Sequence, residues 1–154
     1  MALRQILTEP NEILREKSLK VEQVDDDIRN LINDMLETMY AAPGIGLAAI
    51  QVGVPKRIIV LDIAPKDQAK NPMFFINPEI ISKSDNNSTY EEGCLSVPGQ
   101  FAEIDRPDKC HISYIDYNDK KELDIIIPYF VKKLKQVTQY FVRKRTEVKH
   151  AKVK

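Results

Sequence analysis

Gly44-Ile45-Gly46-Leu47-Ala48-Ala49-Ile50-Gln51 and, about forty residues later, Glu92-Gly93-Cys94-Leu95-Ser96-Val97-Pro98 are the stretches on which the reading of this chain turns. In the first, two glycines allow backbone angles and close approaches that other residues resist. The small and apolar residues behind them can pack beneath a site, and Gln51 brings an amide donor. Taken alone, the stretch is a tight turn entering a buried strand or helix. It is no phosphate-binding loop, because no Lys-Ser/Thr pair follows it. In the second, Cys94 is either a core thiol, the usual fate of a buried cysteine, or a nucleophile or metal ligand that needs a His or a cation beside it.

Upstream, residues 1–24 look irregular and contain Pro10. Asp25, Asp26 and Asp27 can cap and charge a helix start. Ile28, Leu31, Ile32, Met35, Leu36 and Met39 then recur at three- and four-residue steps, which predicts an amphipathic helix to about Tyr40. Downstream, Arg57 to Ile63 is a β-branched run that predicts a strand. Met73 to Ile76 and Glu79 to Ile81 read as two short strands, broken by Pro72 and Pro78. Asp85 to Ser88 is a turn signal. Cys110 to Tyr117 alternates apolar and polar residues and turns at Asn118-Asp119 into Glu122 to Ile127, a hairpin. Phe130, Leu134, Val137, Phe141 and Val148 fall at helical steps with basic residues between them, which predicts an amphipathic helix. The expected class is α+β: one core helix, short antiparallel strands around it, and a closing helix. No linker or repeat divides residues 1–154, so one domain is expected.

With 154 residues, the chain can build one core. Arg4, Gln5 and Glu9 interrupt the first apolar residues, so no secretory signal is read there. The longest apolar runs are too short to span a bilayer. The expected location is the bacterial cytoplasm or an organelle matrix, with no membrane partner. Cys94 and Cys110 do not make a disulfide framework. The net charge of zero hides an asymmetry: residues 128–154 hold nine Lys or Arg against Glu147 alone, a net +8, leaving −8 on residues 1–127. Such a basic end is either the solvated face of a terminal helix or a contact for ribosomal RNA or an anionic surface.

Together the two opening stretches resemble the first two signature motifs of the peptide deformylases, Gly-x-Gly-Leu-Ala-Ala-x-Gln and Glu-Gly-Cys-Leu-Ser-x-Pro. Both are matched at every defined position, in order and with a fitting gap. Agreement at Arg57 to Ile63, at Asn77-Pro78 and at Arg106 extends the resemblance over roughly residues 1–123. It implies the deformylase fold and a metal hydrolase that removes the formyl group from the starting methionine of new proteins. The usual ion is Fe(II), with Ni, Co and Zn also serving. It implies Cys94 as a metal ligand, and Gln51 with the Leu95 backbone N–H as donors to the developing oxyanion. It further implies Gly44, Ile45, Gly46 and Arg106 as substrate contacts, with the peptide pairing as an added strand. Glu91 and Glu92 correspond to residues that support the loop.

The third motif of that family, Gln-His-Glu-x-Asp-His on a helix, brings two His ligands and the general base, and is expected about forty residues after the cysteine. Here residues 135–140 read Lys-Gln-Val-Thr-Gln-Tyr, and the chain contains only His111 and His150. His111 corresponds to a strand position that binds no metal. His150 lies thirty-nine residues further on, so no helical turn presents the two together. A catalytic ion needs three protein ligands and an open position, and its water needs a proton acceptor. The expectation is therefore a pseudoenzyme: a degenerate metal site with no cofactor expected as bound (Fe(II) or Zn if the site is active), its pocket empty or plugged by Phe130, Leu134, Val137 and Phe141. Two other functions stand beside it. One is an active deformylase whose site is completed by His111, a second subunit or added ligands. The other is a binding module whose tail contacts the ribosome. Nascent formyl-methionyl peptides are the expected ligands. The divergent tail is either the product of a reading-frame shift near codon 124 or a selected helix.

Overall fold

The computed structural model describes residues 2–65 and 67–126. Helix α1 spans Asp26–Ala41. The Asp25 carboxylate caps it, accepting the Ile28 N–H at 2.9 Å, and Asp26 and Asp27 place negative charge in the first turn. Its buried stripe is Ile28, Leu31, Ile32, Met35, Thr38 and Met39, the periodicity expected from the sequence.

Among the described residues seven strands follow: β1 (Gly46–Ala48), β2 (Ile58–Leu61), β3 (Met73–Lys83), β4 (Asn87–Cys94), β5 (Val97–Pro107), β6 (Cys110–Ile115) and β7 (Lys121–Ile126). Five form an antiparallel sheet in the order β1-β2-β3-β6-β7; β4 and β5 form a separate hairpin. All four residues of β2 are buried because both faces of the sheet are covered there. Ile58 and Val60 join the core under α1, while Ile59 and Leu61 join a second cluster with Phe75, Cys110 and Ile112. The two-residue period of a strand divides its side chains in this way. Burial pushes the Cys110 thiol above its usual range, as suits a packed sulfur.

Between β1 and β2 the chain makes a 3-10 turn, Ala49–Val52, closed by Gly53 at φ 81. The N-terminal segment is less irregular than its sequence suggests. It holds a 3-10 turn at Glu12–Arg15, and Leu19 bridges to Lys56. Asn77 anchors it further: its Oδ1 accepts the Val21 N–H at 2.8 Å and its Nδ2 donates to the Val21 carbonyl at 2.7 Å.

Two sequence expectations are corrected. Residues 73–76 and 79–81 belong to one strand, which passes Pro78 by a register shift between Ile76 and Glu79. A bulge absorbs the missing proline N–H, so the strand bends without ending. Asn87 and Ser88 open β4 instead of closing a turn. The long hairpin through residues 87–107 carries no strand signal strong enough to predict, since Gly, Pro and acidic residues fill it. The predicted helix over residues 128–154, with His150 and residues 135–140, lies outside the described residues. Among the described residues, no helix is long and apolar enough to cross a membrane.

Candidate functional site

The two motif stretches meet at Gln51. Its side chain is in the 3-10 turn that follows β1, and the residue is 2% exposed. Its Oε1 accepts the Ala48 N–H at 3.0 Å. With the oxygen fixed on that donor, Nε2 faces the other way. It donates to Ser96 Oγ at 3.0 Å and lies 3.8 Å from Cys94 Sγ. The N-terminal segment stitches both stretches from behind: Leu7 N–H donates to the Gln51 carbonyl at 2.8 Å, and Glu9 N–H to the Ser96 carbonyl at 3.0 Å.

Close approach explains the glycines. A Cβ on Gly44 would stand 2.7 Å from Leu95 Cδ1, so the first motif touches the second here. A Cβ on Gly93 would stand 2.8 Å from the Phe101 ring across the hairpin. A register shift between Gly93 and Cys94 ends the regular ladder, so that Cys94 pairs with Val97 and the hairpin tip turns sharply. Cys94 is partly exposed.

The hairpin is held from inside. Arg106 Nε donates to Glu92 Oε1 at 3.1 Å and its Nη2 to Oε2 at 2.9 Å. The side chains are 7% and 1% exposed, so this two-pronged pair is desolvated. The sequence reading proposed Arg106 as a substrate contact and Glu92 as loop support; the structure shows each guanidinium bond above going to Glu92.

Ile45, 41% exposed, precedes β1, an edge strand of the sheet as described. Gly46 is buried in that strand. Gly44 N–H turns back to the Met39 carbonyl at 2.9 Å. The geometry thus brings Gly44, Gln51, Cys94, Leu95 and Ser96 together. His111 is exposed on β6, in register with Ser82 and Ile125. Two features escaped the sequence reading. Ser96 is a direct partner of Gln51, and its place inside the second motif was the available signal. Asp62, an acid ending the β-branched run, accepts the Tyr40 hydroxyl at 2.6 Å.

Hydrolytic Fe or Zn sites draw on thiolate, imidazole and carboxylate. Beside Cys94 the described residues place a neutral amide and a hydroxyl. Among the described residues, no three His, Cys, Asp or Glu side chains are grouped to hold an ion. What the cluster does offer is oriented hydrogen-bond donation beside a partly exposed thiol.

The family profile described as Polypeptide deformylase matches residues 3–127. The chain is 62% identical to the peptide deformylase of Pelagibacter ubique over 123 residues, 80% of this chain and 72% of that protein. It is 60% identical to that of Maricaulis maris over 118 residues, 77% of this chain and 68% of that protein. Its fold is similar to the crystal structure of peptide deformylase from Ehrlichia chaffeensis, with a TM-score of 0.87 at 34% identity over 96% of this chain and 90% of that one. It is likewise similar to the Thermotoga maritima peptide deformylase, with a TM-score of 0.84 at 29% identity over 90% of this chain and 94% of that one.

Proposed function

Given that the chain belongs to the polypeptide deformylase family, we propose that it keeps the peptide-binding frame of that family without a hydrolytic metal centre, and binds formyl-methionyl peptides without cleaving them. The sequence past the second motif carries this reading. Residues 135–140, where the family's third motif is expected, contain neither His nor an acid, and the two histidines of the chain are His111 and His150. The profile match ends at residue 127, ahead of that stretch.

On this reading the open edge of β1 receives the peptide as an added strand. Ile45 and Leu95 border the first side chain. Gln51 Nε2, aimed by Ala48, and the Leu95 N–H donate to the formyl or carbonyl oxygen. Such donors stabilise negative charge, but without a base to activate water they bind more than they catalyse.

The test is to mix the full chain with formyl-Met-Ala-Ser and follow both heat of binding and released formate. The proposal expects saturable binding, weakened by Gln51→Leu, with no formate beyond the buffer rate. Repeated turnover would favour the active enzyme instead. The +8 stretch of residues 128–154 suggests a ribosomal RNA contact as a second reading. Strongly salt-dependent RNA binding that disappears on deleting those residues would support it.

A further inference from the structure

Asp62 sits where three parts of the chain meet. It follows β2 directly, and its N–H donates to the Ile45 carbonyl at 3.0 Å, just ahead of β1. The residue is 6% exposed, and donors fill its carboxylate. Oδ2 accepts the Tyr40 hydroxyl at 2.6 Å and the Asn71 N–H at 3.1 Å, and Oδ1 accepts the Ala64 N–H at 2.9 Å. Hydrogen bonds to an ionised acceptor are stronger than neutral ones. Lys70 Nζ stands 3.9 Å from the centroid of the Tyr40 ring, a cation–π contact on the same tyrosine. Tyr40 is the penultimate residue of α1 and packs against the main core.

The segment entering β1 needs such restraint. Ile45 keeps 41% of its surface exposed, so its own burial holds it only in part. The backbone is fixed at Gly44 by Met39 and at Ile45 by Asp62.

We propose that the Tyr40–Asp62 pair is a positioning latch for the peptide-binding edge. It clamps the end of α1 and the backbone at Ala64 and Asn71 around one charged group, and so sets Ile45 beside β1. Neither residue touches the ligand; both act through Ile45. The inference rests on reading β1 as the docking edge.

Three variants of the full chain test it: Tyr40→Phe, Asp62→Asn and Lys70→Met. The first readout is amide exchange at Gly44 and Asp62, with Met35 as the core reference. The second is calorimetric affinity for formyl-Met-Ala-Ser. Tyr40→Phe is expected to speed exchange at Gly44 and Asp62 about tenfold while leaving Met35 unchanged, and to weaken binding about tenfold, or about 1.4 kcal/mol. Asp62→Asn is expected to do more, because the Asn71 N–H then faces an amide NH2. Lys70→Met, at an exposed position, should act in the same direction by about twofold. If Asp62→Asn fails to fold, the other two variants decide. Exchange that rises equally at Met35, or faster local exchange with unchanged affinity, would overturn the latch. Failure of the unaltered chain to bind peptide would instead sink the functional reading, and the exchange ratios would still show whether the pair holds the edge.

Discussion

Arg106→Met removes one half of the buried pair that holds the β4–β5 hairpin. The cost follows from the geometry. Glu92 has a side chain 1% exposed and loses two charge-assisted bonds, at 3.1 and 2.9 Å. Methionine fills the space but leaves a carboxylate stripped of water. Breaking one side of such a pair costs about 3–5 kcal/mol. For a domain of this size that lowers the thermal midpoint by roughly 10–15 °C. The assay is urea and thermal unfolding of four proteins: the unaltered chain, Arg106→Met, Glu92→Gln and the double variant. The double variant should recover about half of the loss, with a coupling of about 2 kcal/mol in the cycle. Arg106→Lys adds a functional arm. If Arg106 serves the hairpin, peptide affinity should fall only in step with stability. Single variants that each cost under about 1 kcal/mol, or that add without coupling, would show that the Arg106–Glu92 pair does not hold the hairpin. An Arg106→Lys protein of full stability that no longer bound peptide would restore Arg106 as a substrate contact.

Other perturbations follow from single contacts. Gly44→Ala puts a Cβ 2.7 Å from Leu95 Cδ1; Leu95 must swing away, costing about 1–2 kcal/mol in urea unfolding and weakening peptide binding at the junction of the two motifs. Asn77→Ala loses both bonds to Val21 and places alanine at φ 51, so unfolding free energy should drop by about 2–3 kcal/mol, with faster amide exchange at Val21. Burial raises the Asp62 pKa, but the Tyr40, Ala64 and Asn71 bonds and the Lys70 charge outweigh it and hold the carboxyl below 3.8. A folded-state pKa below the unfolded value means stability that is present above the unfolded carboxylate range and is lost as pH falls through the folded value. Urea unfolding at pH 7 and pH 3 should therefore show a larger acid loss for the unaltered chain than for Asp62→Asn. The same hydrogen bond, after burial, pushes the Tyr40 hydroxyl up to about 12, so ultraviolet titration in Asp62→Ala should bring that tyrosine down.

The sequence carried most of the frame. The three- and four-residue steps from Ile28 to Met39 and the aspartates before them define α1, because burial and capping act locally there. The run from Arg57 to Ile63 marks a central strand, since residues buried on both faces must be apolar throughout. The β4–β5 hairpin stayed hidden because its stability comes from long-range pairing and a buried ion pair, neither of which leaves a periodic signal. Pro78 misled for a related reason: its cost is absorbed by a bulge, which is a property of two strands. At the site, Gln51 and Cys94 were legible from their motifs. The serine that accepts from Gln51 was not, because a residue forty-five positions away carries nothing in its own neighbourhood to say which side chain it will meet. Tyr40 and Asp62 belong to the same class, twenty-two residues apart in sequence and joined only by folding.

The ligand arithmetic at Cys94 can be read directly. Titrating the reduced full chain with Co(II), and following sulfur-to-metal charge transfer beside the Cys94→Ser control, measures whether one thiolate and its neighbours hold an ion. The account predicts weak absorbance with no saturation at one equivalent, and no formate from formyl-Met-Ala-Ser in the loaded sample. A sharp end point at one ion per chain, abolished by Cys94→Ser and accompanied by formate release, would contradict it.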